Sequence, residues 1–327
     1  MNRISKFQFT ALLLITDLFS LCCCFGGVSL RTLWGILAGT AMQYLGAMCF
    51  AVQGGSLKKW AQVFFLAYAV FSGGALFVSL WQTRGAVYIP YEESHGVWGS
   101  LMTAGLIAAV CLYASSTGIK SVARAAVIAA AIALLSLSVD FISAVFNAEW
   151  SNALLPEKRG FLSELLRGFG LSGSLGSMIV WLDRVNDDKS KALTAYFGTK
   201  VMAASAVMLT VLPVAGGIMG LTDFPVITAA QLSQPFEAQR IDSLFLVVFS
   251  VLAVFSVTLQ VMTGAYLLGE LIPPFQRWRS LTVTALVIGA ALIINGRDML
   301  AVRACAAAAA LIIAPLGAKR SAADGSG

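Results

Sequence analysis

The sequence predicts an all-α polytopic membrane protein of about ten spanning helices, arranged as two halves of five. Three observations carry this. Hydrophobic residues make up 58% of the 327-residue chain and charged residues only 12%, against about 25% charged in ordinary soluble domains. Ten separable apolar segments follow one another, most of them near the roughly 20 residues that a bilayer crossing requires. The first and the sixth are interrupted by small residues, and interruptions at corresponding places in two halves point to an inverted repeat with a binding site at the breaks.

The first five segments are Phe9–Leu30, Leu33–Val52, Trp60–Trp81, Trp98–Ala114 and Ala125–Phe146. The second five are Phe161–Trp181, Leu193–Met219, Ile241–Leu268, Ser280–Ile294 and Met299–Leu316. One integral domain is expected over residues 1–318, with repeat one at about 1–146 and repeat two at about 161–318. Residues 319–327 read as a short disordered cytoplasmic tail. With the N-terminus inside, 14 of the 22 Lys and Arg fall at inner ends, including Lys58, Lys191, Lys200, Arg277 and Arg279. Eight fall outside, including Arg31, Arg159, Arg167, Arg240 and Arg303. The positive-inside rule then puts both termini in the cytoplasm. The net charge of +6 is thus a topology signal, and nucleic acid is excluded as a partner because no soluble basic face exists.

Arg3 and Lys6 precede the first segment as they would in a secretory leader, but no clean small-x-small site follows, so an uncleaved first helix is expected. Trp60, Trp81, Trp98 and Trp181 at segment ends fit an aromatic belt. All six cysteines fall in apolar segments and His95 is alone in a polar stretch, so no metal site and no cofactor is expected. The stretches 82–97, 147–160 and 220–240 read as external loops. P-loop, HExxH and GxSxG motifs are all missing, which leaves enzyme chemistry without support.

The chemistry concentrates at the two interruptions. In the first, Cys22-Cys23-Cys24-Phe25 leads into Gly26-Gly27, and each glycine weakens a helix by about 1 kcal/mol relative to alanine. In the sixth, Gly168, Gly170, Gly173 and Gly176 alternate with Ser172, Ser174 and Ser177. Free amides at such a break favour a carboxylate, and opposed carbonyls favour a cation. The expected ligand is therefore a small, amino-acid-like zwitterion, held by Cys23, Cys24, Phe25, Gly26, Gly27, Gly170, Ser172, Gly173, Ser174 and Gly176. Phe25 would close one wall. The alternative for the same residues is close helix packing. Asp17 and Asp140 are ionisable groups within spans, hence candidates for coupling or buried polar roles.

Two stretches resemble a known family. ISKFQFTALLLITDL (Ile4–Leu18) is similar to the opening of the spore germination permeases, the membrane B subunits of nutrient germinant receptors. FPVITAAQLSQPFEAQRIDSLFLVVF (Phe224–Phe249) resembles that family's Phe/Tyr-Pro loop and Arg-Ile-Asp helix entry, here Phe224, Pro225, Phe236, Arg240, Ile241 and Asp242. The sequence departs from the family at Phe249, where a tryptophan is common, and at CCCFGG, where a proline is usual. The resemblance implies the amino acid–polyamine–organocation superfamily and a LeuT-type fold of two inverted five-helix repeats with helices 1 and 6 broken. It also implies germinant sensing in the inner spore membrane with A and C subunits as partners. Phe224, Pro225, Arg240 and Asp242 become candidate subunit-contact or structural residues; Arg240 and Asp242, two apart, pair poorly with each other on a helix. An amino acid permease, driven by protons or another cation, is the alternative.

Overall fold

The computed structural model describes residues 3–54, 56–87, 89–146, 148–154, 160–215, 223–232, 242–295 and 299–319. Helices are the main regular elements among these residues. The helices are α1 (Lys6–Cys22), α2 (Leu30–Val52), α3 (Lys59–Val87), α4 (Ile89–Thr117), α5 (Ile119–Phe146), α6 (Phe161–Gly170) and α7 (Leu175–Trp181). They continue as α8 (Lys189–Ala215), α9 (Pro225–Leu232), α10 (Asp242–Leu271), α11 (Arg279–Ile294) and α12 (Leu300–Leu316). Among the described residues five are long and apolar enough to cross a bilayer, or six with the pair α6–α7, bent by 47°, taken as one span. The shorter apolar helices α11 and α12 and the Ala104–Thr117 half of α4 accompany them, α1 packs against α5, α8 and α10, and α9 packs on α8.

Both termini lie at one end of the bundle. Ile4 bridges to Val185 and Leu57 to Ala318, so each terminus is tied to a turn between spans. The capping box of Ser5 and Gln8 starts α1, and Ser29 with Thr32 starts α2 in the same reciprocal way.

The helix pairings repeat under exchange of the two halves. α1 packs on α8 as α6 packs on α2, and α1 on α5 as α6 on α12. Likewise α3 packs on α11 as α10 packs on α4, while α3 and α10 pair with each other across the pseudo-axis. This is the pattern that two inverted sets of five spans produce.

Three expectations need adjustment. The stretch 82–97 is not a loop: α3 runs to Val87 and α4 starts at Ile89, with residue 88 outside the described residues. Hydropathy marks where lipid ends, whereas a helix can continue into water, and Pro90 in the first turn of α4 is tolerated because its missing N–H has no partner there. The first interruption is an extended stretch, Cys23–Ser29, that follows α1 and leads directly into α2. Lys200, counted at an inner end, lies twelve residues into α8 with only 7% exposure, and Arg167, counted outside, is 1% exposed. Taking both away leaves the Lys/Arg asymmetry in place.

Candidate functional site

The sixth span breaks at Leu171–Ser174, and its glycines are points of close approach to neighbouring spans. A Cβ on Gly168 would stand 2.4 Å from the Gly35 carbonyl oxygen of α2, one on Gly173 2.4 Å from Ser20 Oγ of α1, and one on Gly176 2.3 Å from the Tyr68 ring of α3. Small residues let membrane helices approach this closely. The groups freed at the break are then satisfied from the surrounding spans. The Gly173 carbonyl accepts from Gln260 Nε2 at 2.9 Å and Ser72 Oγ at 3.3 Å, and the Ser174 amide donates to Asp17 Oδ1 at 3.3 Å.

Asp17 is the centre of a buried polar cluster. Lys200 Nζ lies 3.1 Å from Asp17 Oδ2, 2.7 Å from Ser172 Oγ and 3.1 Å from Gln43 Oε1. The three protons of an ammonium are thereby matched to three oxygens. The Tyr196 hydroxyl donates to Asp17 Oδ2 and lies 2.7 Å from Ser174 Oγ. A buried ion pair is tolerated only with such additional hydrogen bonds, because desolvating each charge costs several kcal/mol. Gln43 Nε2 and Ser20 Oγ are buried with no hydrogen-bond partner among the described residues. Beside Asp17, Lys200, Ser172 and Thr40 is a cavity of about 20 Å³, room for one water molecule.

The first interruption is held separately, toward the end opposite the termini. Arg167 of α6 donates through Nη1 to the Gly27 carbonyl at 2.7 Å, and through Nη2 to the carbonyls of Gly26 at 2.7 Å and Phe25. Glu164, one turn earlier, lies 3.5 Å from the same guanidinium. The Gly26 backbone has φ 79°, a conformation that favours glycine, and its amide donates to the Asp223 carbonyl at 2.8 Å. Phe25 is 61% exposed and meets Phe224 edge to face at 5.8 Å. Pro225 opens α9 just behind it.

The sequence-predicted residues thus divide into two groups. Ser172, Gly173 and Ser174 meet Asp17 in the central cluster; Phe25, Gly26 and Gly27 meet Arg167, Phe224 and the start of α9. Cys23 and Cys24 are buried between the two, with Thr83 Oγ1 3.6 Å from Cys23 Sγ. Gly170 packs on Leu300, and Gly176 on Tyr68. Phe25 does not wall the span-6 break. Asp140 lies on α5 and Asp242 begins α10, with their side chains outside the described residues, as are Arg240, Phe236 and Ile241. The carboxylate that meets a free amide of the broken span is Asp17, and the cation that meets the span-1 carbonyls is Arg167. Both complements expected of a zwitterionic ligand are supplied by the chain itself.

Sequence reasoning passed over Lys200, Tyr196, Arg167, Glu164 and Gln260. The signal for Lys200 and Arg167 was present, since each lies within an apolar segment, where an ionisable group is a functional candidate. Tyr196, Gln43 and Gln260 carry no such mark, because a neutral polar residue in a span is ordinary until its partners are known.

No protein-family model matches the chain, and no curated protein matches it. Among solved structures it is similar to Mhp1, a nucleobase-cation-symport-1 family transporter, in a closed conformation with bromovinylhydantoin bound. That likeness has a TM-score of 0.57 at 14% identity and covers 95% of this chain and 76% of the other. The chain is a polytopic helical membrane protein with a fold of the LeuT type.

Proposed function

We propose that the protein is a secondary transporter that moves a small, amino-acid-like solute across a lipid bilayer, coupled to protons. The observation that carries this is the buried Asp17–Lys200 pair between span 1, the break of span 6 and span 7. A coupling ion would need the oxygens of Asp17, Ser172 and Gln43, and the Lys200 ammonium holds all three. The exchangeable charge left at this place is a proton. The cavity beside the pair has room for one water to carry that proton.

The conformation is closed to solute. Arg167 pins the end of span 1 to span 6, and Asp17 caps the break, so the solute enters by exchanging with these internal partners. Its carboxylate takes the place of the carbonyls on Arg167, and its amino group that of Lys200 on Asp17. Displacement of Lys200 from Asp17 loosens the contact of span 1 with span 6. The Lys/Arg asymmetry puts the end that carries both termini in the cytoplasm. A role as the membrane subunit of a germinant receptor, with A and C partner subunits, rests on the sequence likeness of Ile4–Leu18 and Phe224–Phe249 alone.

Uptake into proteoliposomes tests the proposal. A panel of amino acids is offered under an imposed pH gradient, an imposed sodium gradient, or neither. Accumulation driven by the pH gradient and abolished by a protonophore is expected. Accumulation that follows sodium overturns the proton assignment, and none under any gradient overturns transport.

A further inference from the structure

At the end of the bundle that carries the termini, a cavity of about 230 Å³ opens between the α4–α5 turn, the end of span 6, α10 and α11. Two guanidinium groups, Arg184 and Arg279, line it together with Trp181 and Tyr266. We infer that this cavity is an oxyanion site, and that in the transporter proposed above it receives the carboxylate of the solute between the central cluster and the inner solution.

Charge decides the sign of the ligand. Arg184 donates to the Tyr266 hydroxyl at 3.0 Å, and the half-exposed Glu270 lies 3.9 Å away, too far for a strong pair. Arg279 has no acceptor among the described residues. Arginines at span ends commonly serve topology alone and extend toward solvent. Arg279 instead lies against α10, where a Cβ on Gly269 would stand 2.9 Å from its Nη1. The missing side chain at Gly269 lets the guanidinium rest beside the cavity. Guanidinium groups pair with carboxylate or phosphate oxygens in bidentate geometry.

A polar track joins this cavity to the break. Trp181 Nε1 donates to Thr263 Oγ1 at 2.8 Å, Thr263 Oγ1 lies 2.9 Å from Ser177 Oγ, and Ser177 donates to Gln260 Oε1 at 3.2 Å. Gln260 in turn holds the Gly173 carbonyl. These side chains of α7 and α10 form a continuous hydrogen-bonded seam from the cavity to the break.

The inference rests on the transport reading for the identity of the ligand and is tested without transport. Full-length protein in phosphatidylcholine nanodiscs is melted against rising acetate, inorganic phosphate or ethylammonium chloride at constant ionic strength, since a ligand of the native state raises Tm with concentration. A saturable rise with acetate and phosphate, and none with ethylammonium, is expected. Arg279→Gln should shift half-saturation by about tenfold or more, as loss of a charge-assisted hydrogen bond does. Gly269→Ala, which keeps both charges and displaces Arg279, should weaken acetate binding in the same direction. No stabilisation by either oxyanion, or full binding in Arg279→Gln, overturns the site. Stabilisation that appears only in phosphatidylglycerol nanodiscs assigns the guanidinium groups to a lipid headgroup and overturns the solute assignment. Acetate binding through Arg279 in a protein that moves no solute leaves the oxyanion site standing and removes the transport reading.

Discussion

Removing Arg167 should open the end of span 1 opposite the termini. Its guanidinium holds three successive carbonyls, of Phe25, Gly26 and Gly27, and is 1% exposed. Hydrogen bonds to charged groups contribute about 1.5–3 kcal/mol each, and they do not add. Breaking a buried charged cluster by deleting one partner costs about 3–5 kcal/mol. If about 3 kcal/mol of this is lost from the closed form alone, the open population rises on the order of 100-fold. Cys23 and Cys24 are buried reporters directly before the latched carbonyls, whereas Cys49 and Cys305 are exposed. In a Cys49→Ala/Cys305→Ala background, Arg167→Met should therefore be labelled by a maleimide at Cys23 and Cys24 about 100-fold faster than its parent. Glu164→Gln in addition should recover stability without restoring protection, since it removes the charge that had faced Arg167 but supplies no donor to the carbonyls. Helical content and gel filtration show whether the variants are folded. Labelling within about threefold of the parent in a folded Arg167→Met protein, under 1 kcal/mol of opening, would refute the latch.

Lys200→Met should lower stability by about 3–5 kcal/mol by stranding Asp17, and Asp17→Asn/Lys200→Met should regain most of it. Thermal melts read both, and the double variant should show no uptake driven by a pH gradient. Gly168→Ala should cost about 1–3 kcal/mol through overpacking, because its Cβ meets the Gly35 carbonyl oxygen at 2.4 Å; Gly105→Ala, with nothing within 4 Å, should leave the melting temperature unchanged or higher. Gly173→Leu should reduce the yield of folded protein as well as transport, since Ser20, Leu76 and Thr16 already fill the space beside Gly173.

The polytopic helical fold and the interruption of the sixth segment were both legible in residue order. Each rests on local properties: about 20 apolar residues make a crossing, and a run such as Gly168–Ser177 breaks a helix wherever it is placed. Partners were not legible, because they join residues far apart in sequence. Asp17 stood out as a charge in a span, but only the fold brings Lys200, 183 residues on, within 3.1 Å of it. Phe25–Gly27 could be read as unwound backbone in need of a cation, and the fold brings Arg167 of α6 to it. The glycines carried the same ambiguity. Gly173 reads as binding surface or as a point of close approach, and in this structure α1 packs closely against it. A sequence records which groups need partners; which partner each one receives depends on the distances that packing creates.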